Sequence, residues 1–538
     1  MNISRNVLIV LASFAVVAVA LYSYDSADDS TPAVSTLNRG LSTDPESLDP
    51  HKMRSTQAAD VMRDIGEGLV GYTATGELIP AAADEWTISA DGRTYTFNIR
   101  ASARWSNGDA LTAEHFAFSL RRLVDPATAA FNAHLVADIE NAAAVTAGEI
   151  EPSALAVEAT DEHTLVITLT RPTPYFLALL TYPSTFPVHP ASLAEHGEAF
   201  ARPGKLLSNG AYTLDAWEPG SILRLSRNEA YWNNAETAID AVNHHVLTQP
   251  MTELNRYRAG EIHITSVVPP ASFKQIRQER ANELRVGPSL GVYYYGYNLS
   301  QSLFGDNPQL RQALSMAIDR DVLVEKITGR GEAPAYSWVP PGVDNYEPRR
   351  FNYAELSQDE RISRARRLYR EAGYSEESPA QFELRYNTSD TEQRIALAVQ
   401  SMWREVLGAQ ATLVNEEFQV LLENMREAEV TQVFRSSWIG DYNDAHTFLS
   451  ILQSDNPANM PRYSNDEYDD LMRRASEQLD PKLRRVYLEE AERVLLADHP
   501  VIPLYFYVSK HLVSPDVQGW GDNVLDYHYS QHLSLATD

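Results

Sequence analysis

Tyr95-Thr96-Phe97-Asn98-Ile99-Arg100 alternates large apolar side chains with polar ones along its whole length. A period of two puts Tyr95, Phe97 and Ile99 on one face of an extended strand and the polar partners on the other. Leu165, Ile167 and Leu169, set against Val166 and Thr168, repeat the pattern further on. Between the two stretches Thr112 can cap a helix with Glu114 in its first turn. Phe116, Leu120 and Leu123 supply its apolar stripe, and Asp125-Pro126 stops it. Half-buried strands bracketing an amphipathic helix predict a mixed α/β fold.

Working outward, the C-terminal half is richer in helix. Leu310, Ala313, Leu314, Ala317 and Ile318 follow a helical stripe, as do Ile395, Val399, Met402 and Val406. Short apolar strands are expected at 292–297 and 501–508. No repeat of about 20–50 residues occurs. Pro172, Pro174, Pro183, Pro187 and Pro190 crowd one region and mark a return of the chain from one lobe to another. With 538 residues the chain exceeds one ordinary domain.

Charge narrows the partners. Lys plus Arg total 45 against 73 Asp plus Glu, a net charge of −28. No basic footprint exists for nucleic acid, because phosphate binding works by counterion release to Lys and Arg. Cysteine is absent, which removes thiolate catalysis, zinc-thiolate sites, disulfides and a lipid-anchored N-terminal cysteine. Arg5, the apolar run at 7–22 and the small-x-small step Ala18-Val19-Ala20 read as an export signal over residues 1–24. The alternative is a short uncleaved anchor, although the run is shorter than the ~20 residues of a comfortable span.

Catalytic motifs are missing. There is no His-Glu-x-x-His, no Gly-x-Ser-x-Gly and no phosphate-cradling glycine loop. His244-His245 and His263 suggest a metal, but neighbours on a regular strand point to opposite faces and cannot ligate jointly. Neither metal nor cofactor is implied. Arg435-Ser436-Ser437-Trp438-Ile439-Gly440-Asp441-Tyr442-Asn443-Asp444 has two readings. In one, Asp441 or Asp444 caps the helix that follows. In the other, a carboxylate waits in a cleft for a cationic group. Tyr505-Phe506-Tyr507 buries Phe506 on one face and turns both tyrosines to the other, as core or as cavity lining.

Several stretches resemble the peptide-binding members of the solute-binding proteins of bacterial ABC importers. They include Leu48-Asp49-Pro50-His51-Lys52, Ile65-Gly66-Glu67-Gly68-Leu69 and Trp105-Ser106-Asn107-Gly108-Asp109. Asn209-Gly210-Ala211-Tyr212, Asn228-Glu229-Ala230-Tyr231-Trp232, Asn255 to Glu261, Tyr386-Asn387-Thr388-Ser389-Asp390 and Asp441-Tyr442-Asn443 follow in the same order. The resemblance implies a three-lobed, periplasmic-binding-protein-like α/β fold of the type II, Venus-flytrap kind. Two mixed α/β lobes are joined by a hinge, with an extra lobe inserted. Lobe I would comprise 35–66, 189–291 and 509–538, lobe II 67–188, and lobe III 292–508.

The resemblance also implies a function: extracytoplasmic capture of short peptides, of about two to five residues, for the permease subunits of an importer. The protein would be a periplasmic monomer. Rival readings are a murein-peptide or dipeptide binder, a secreted peptide hydrolase, and a non-transport chaperone or sensor. Residues 53–56, with Arg54, Ser55 and Thr56, and Ser437, Trp438 and Ile439 would be the edges pairing with peptide backbone. Asp441 would hold the α-ammonium and Arg435 the C-terminal carboxylate. Trp438, Tyr507 and Phe131 would line side-chain pockets. Departures are informative. Arg54 and Gly296 replace acids, Glu392 replaces a histidine, and Thr328 a lysine. Gly291 and Ile439 stand where a disulfide would be. With Arg435 kept and the distal positions changed, peptides of about three residues are expected to bind better than five-residue ones.

Overall fold

The structure, a computed structural model, describes residues 34–427 and 431–536. The expected export segment lies outside these residues. Among them no helix is long and apolar enough to cross a membrane.

Three large hydrophobic cores organise the chain. The first is discontinuous, drawing on Leu37 to Ile65, Val188 to Ile264 and Val513 to Leu533. Its sheet has the order Thr36–Leu41, Ala241–Val246, Ile222–Arg227, Tyr212–Glu218, parallel in the first pairing and antiparallel in the others. The second core runs from Leu69 to Leu180. Its antiparallel sheet places Thr94–Ile99 beside Thr164–Thr168, and Tyr95, Phe97 and Ile99 are buried as their alternation requires. The helix Ala113–Val124 covers it with Phe116, Leu120 and Leu123, capped at Thr112.

The third core holds the largest sheet, in the order Ala333–Pro334, Val501–Leu512, Leu284–Tyr297, Val433–Ile439, Gln381–Asn387, Gln410–Glu416. Helices Pro308–Met316, Gln358–Glu371 and Asp390–Leu407 belong to it. Within the third of these, Ile395 and Val399 are fully buried while Met402 and Val406 pack at its margin.

The first and second cores are tied together tightly. Asn209 accepts from the Glu67 amide at 3.1 Å and donates to the Glu67 carbonyl at 2.8 Å. A Cβ at Gly210 would meet the Ile65 carbonyl oxygen at 2.7 Å, so only glycine lets the two strands of chain approach. Tyr231 and Trp232 donate to the buried Glu67 carboxylate at 2.5 and 2.8 Å. Burial raises the Glu67 pKa to about 7 despite both donors. Arg122, on the helix of the second core, grips Asp49 of the first through two bonds of 2.8 and 2.6 Å.

The link to the third core is different in kind. Leu284–Tyr297 and Val501–Leu512 run side by side from Leu284↔Leu512, in a small cluster beside the first core, to Gly296↔Val501 in the third. Their register shifts between Pro288/Val292 and again between Tyr293/Tyr294. Such irregularities bend and twist a ribbon locally.

Within the third core Glu492 is buried and accepts from four donors. The Trp338 and Val339 amides reach one oxygen at 2.9 and 2.7 Å; Tyr346 and the Arg349 amide reach the other at 2.7 and 2.6 Å. Trp338 so held donates its indole N–H to the Phe448 carbonyl at 2.6 Å. The Phe448 ring in turn closes on Gly440, where a Cβ would stand 3.0 Å from it. A buried carboxylate thus reaches, through two rings, the loop that follows the strand Val433–Ile439. Glu492→Gln keeps the shape but turns an NH2 group toward two donors. It is expected to lower stability in denaturant unfolding by about 2–4 kcal/mol. An unchanged midpoint would show that the four bonds do not hold this region.

Candidate functional site

The strand Val433–Ile439 is half paired. On one side it follows Leu284–Tyr297 along its full length, from Gly291↔Ile439 to Tyr297↔Val433. On the other it pairs with Gln381–Asn387 only at Leu384↔Val433 and Arg385↔Phe434. Beyond Phe434 no strand lies on that side among the described residues. The Gly440 amide bonds the Leu290 carbonyl at 2.7 Å. Antiparallel ladders alternate, so Trp438 and Ser436 point their backbone groups at the inner partner. Ser437 and Ile439 turn theirs to the open side.

This edge exists because two glycines make room beneath it. At Gly291 a Cβ would meet Ile439 Cδ1 at 2.7 Å and Tyr507 Cδ2 at 2.8 Å. Ile439 and Tyr507 therefore lie over the bare backbone, and Ile439 remains 56% exposed. At Gly296 the Phe434 ring stands 2.3 Å from the Cβ position, so no acidic side chain fits there.

Side chains divide between the strand's faces. Arg435 and Ser437 share a face with Tyr293, Tyr505 and Tyr507; the Arg435 guanidinium lies 5.0 Å from the centre of the Tyr293 ring, and Tyr293 stacks on Tyr505 at 4.6 Å. Tyr505 is buried and Tyr507 half-buried, with Phe506 buried on the opposite face. Trp438 occupies that opposite face and donates to Thr447 at 3.3 Å. The strand thus separates Arg435 from Trp438.

Asp441 follows the strand's end and is exposed. Its amide donates to Thr447 Oγ1 and its carboxylate accepts from the same hydroxyl, both at 3.3 Å. It forms no ion pair among the described residues. Partial desolvation by the surrounding walls raises its pKa; the Thr447 bond and the charge of His134, on the second lobe, act the other way. Asp444 has the other fate. Arg484 holds it by two bonds of 2.6 and 2.8 Å, and it accepts from the His446 amide at 2.8 Å at the start of the helix His446–Leu449. Tyr442 between them stacks on Tyr175 of the second lobe at 4.5 Å and 7°.

Arg54 and Phe131 stand together, with the guanidinium 5.6 Å from the ring centre and Phe131 58% exposed. Residues 53–56 differ from the open strand edge expected there. Ser55 caps the helix Thr56–Ile65 by accepting from Ala58 at 3.1 Å. The Arg54 and Ser55 amides both donate to Glu46. The segment's carbonyls are engaged as well: Ser55 accepts from the Ala59 amide at 3.2 Å and Met53 from Asn132 at 3.3 Å.

Charge partners are also rearranged. Arg435, expected to await a carboxylate, is paired with Glu392 at 3.2 and 3.4 Å, and Tyr293 donates to the same carboxylate. At the second altered position Thr328 donates to Glu332 at 2.9 Å. Lys510 lies 3.2 Å and Arg330 3.6 Å from Glu332, leaving one positive charge in excess. Lys510 is absent from the sequence reading; a lone lysine on an apolar strand carries no motif. His244 donates to the Asp64 carboxylate at 2.9 Å and His245 contacts Asn38, on separate partners as strand alternation requires.

With this geometry in view, the comparisons with known proteins are informative. Residues 77–460 match the family described as bacterial extracellular solute-binding proteins, family 5. The periplasmic oligopeptide-binding protein OppA of Escherichia coli is 35% identical, over 99% of both chains. A probable deoxycholate-binding periplasmic protein of the same organism, YgiS, is 36% identical over 92% of each. Among solved structures, the unliganded open form of the murein tripeptide-binding protein MppA superposes with a TM-score of 0.88 at 35% identity, covering 94% of this chain and 98% of that one. Haemophilus influenzae OppA in complex with the peptide RPPGFSPFR gives 0.71 at 33% identity, covering 94% and 99%. At nearly equal identity and coverage, this chain superposes better on that open form than on that peptide complex. The chain belongs to the bacterial extracellular solute-binding proteins of family 5.

Proposed function

We propose that the protein is an extracytoplasmic substrate-binding protein. It captures short peptides, of about two to five residues, in the cleft beside the strand Val433–Ile439. It delivers them to the permease subunits of an ABC importer. It works as a periplasmic monomer, exported by the apolar segment at its N-terminus, and performs no covalent chemistry. The observation that carries this reading is the strand edge left open at Ser437 and Ile439 and ending at an exposed, unpaired Asp441.

An extended peptide satisfies such an edge with its own N–H and C=O groups, whatever its side chains. Its α-ammonium reaches Asp441, where a charge-assisted bond fixes the register. Trp438, Tyr507, Phe131 and Arg54 then border the side-chain space, with Ser55 and Thr56 beside Arg54 at the start of the helix Thr56–Ile65. Closure about the two irregular strands excludes water, so each peptide charge requires a partner. At the far end a carboxylate beside Arg435 must share the guanidinium with Glu392. The preference for about three residues over five rests on Arg435 and so depends on Glu392 yielding it.

Asp441→Asn is expected to weaken binding of a free tripeptide by about 2–5 kcal/mol in calorimetry. N-acetylation of the peptide should cost the native protein a similar amount, and the two losses should not add. Equal binding of acetylated and free peptide would remove Asp441 from the site. Glu392→Gln releases Arg435, so tripeptides with a free C-terminus should bind about tenfold tighter, near 1.4 kcal/mol, while C-terminally amidated ones gain nothing. The same gain for both forms would place the carboxylate elsewhere.

A further inference from the structure

His511 stands on the strand Val501–Leu512 where it leaves the third core, and Asp526 and His528 lie on the C-terminal segment that folds back beside it. His511 Nε2 is 2.9 Å and His528 Nε2 is 3.1 Å from the same oxygen, Asp526 Oδ1. All three donor atoms lie within 4.8 Å of one another. Ligands about 2.0–2.2 Å from one ion stand about 3–3.5 Å apart, the scale seen here.

The second nitrogen of His511 settles what the first can do. Nδ1 lies 2.7 Å from the Thr265 carbonyl, which only accepts, so Nδ1 carries the proton. Nε2 either carries a second proton, which it donates to Asp526, or in the neutral imidazole presents a lone pair to a carboxylate oxygen that also presents one. A cation between them removes the conflict, and an N–H donated to a backbone carbonyl is the usual way a ligating imidazole is oriented. His528 is fixed as well, by Trp520 stacked on it with ring centres 3.6 Å apart and 19° between planes. Asp526 itself holds a left-handed backbone, φ +58°, that few residues other than glycine adopt. Asn523 keeps it there through bonds to the Tyr527 amide and carbonyl of 3.2 and 2.9 Å.

The neighbouring carboxylate shows what a purely structural arrangement looks like. Asp64 accepts the Ser530 amide, the Ser530 hydroxyl and His244, each at 2.9 Å. Among the described residues the Asp526 carboxylate has hydrogen bonds only with the two imidazoles. All three donors also line a cavity of about 260 Å³ that reaches Thr56 and Tyr182, giving ion and water a way in. The Arg and Asp side chains lining that cavity balance, Arg39 and Arg63 against Asp60 and Asp526.

We propose that His511, Asp526 and His528 bind one divalent transition-metal ion, of the imidazole-preferring class that includes zinc, cobalt and nickel, at the foot of the link between lobes. The ion fastens the end of a connecting strand to the C-terminal segment and raises the stability of the folded chain.

Cobalt(II) titrated into the untagged, full-length protein tests this. One equivalent should bind with a visible absorption band that zinc abolishes, and the melting midpoint should rise. Of the 14 histidines in the sequence, the imidazole resonances of His511 and His528 should broaden first. His528→Gln should weaken binding at least about tenfold. The resonance measurement needs no variant, so it stands even where that substitution disturbs folding. No saturable binding below about 1 mM, or broadening centred on other histidines, would leave the cluster an imidazolium–carboxylate pair and overturn the proposal.

Discussion

A backbone amide or carbonyl taken out of water must find a partner, and among the described residues no strand supplies one to the outer side of Ser437 and Ile439. The strand that carries them is secured on its inner side by a long antiparallel ladder and released on its outer side after Phe434. Much of the third lobe serves to present that edge. Gly291 and Gly296 give up their side chains so that Ile439, Tyr507 and Phe434 can lie across the sheet. Glu492 fixes Trp338, Trp338 fixes Phe448, and Phe448 sets the turn at Gly440 that leads to Asp441. Exposed edges invite unwanted pairing. This one is short and is followed by the carboxylate of Asp441.

The lobes divide the mechanical work. Lobes one and two are joined by half-buried bonds around Glu67, Asn209 and Asp49, several of them between groups that would be costly to leave unpaired. Lobe three is reached through two strands whose register breaks near Pro288 and Tyr293. A joint of the first kind moves as one body, whereas a two-stranded ribbon with irregular register can flex. The close match to an open, unliganded relative fits such a division. So does Asp441, exposed and awaiting a partner.

How much of this was legible in the sequence depends on the range of the interaction. Alternation at Tyr95, Phe97 and Ile99 is a local property, and the buried face follows from it directly. The stretch from Arg435 to Asp444 permitted a capping and a cleft reading; Asp444 accepts the first amide of the helix His446–Leu449 and pairs with Arg484, while Asp441 accepts from Thr447 and forms no ion pair among the described residues. Local patterns carry no information on the rest. Glu392 is 43 residues from Arg435 and meets it only through the packing of a helix on the sheet. Glu46 takes the Arg54 and Ser55 amides through a turn that no periodicity announces. His511, Asp526 and His528 follow no ligand spacing, because a fold-back of the C-terminal segment assembles them.

Amide hydrogen exchange resolved at single residues tests the central claim most directly. In the free protein the Ser436 and Trp438 amides should already be slow, while those of Ser437 and Ile439 exchange as an open edge. On saturation with a tripeptide, Ser437 and Ile439 should slow by at least about tenfold and the other two should change little. If peptide binds and the Ser437 and Ile439 amides exchange as before, the strand edge is not where the ligand lies.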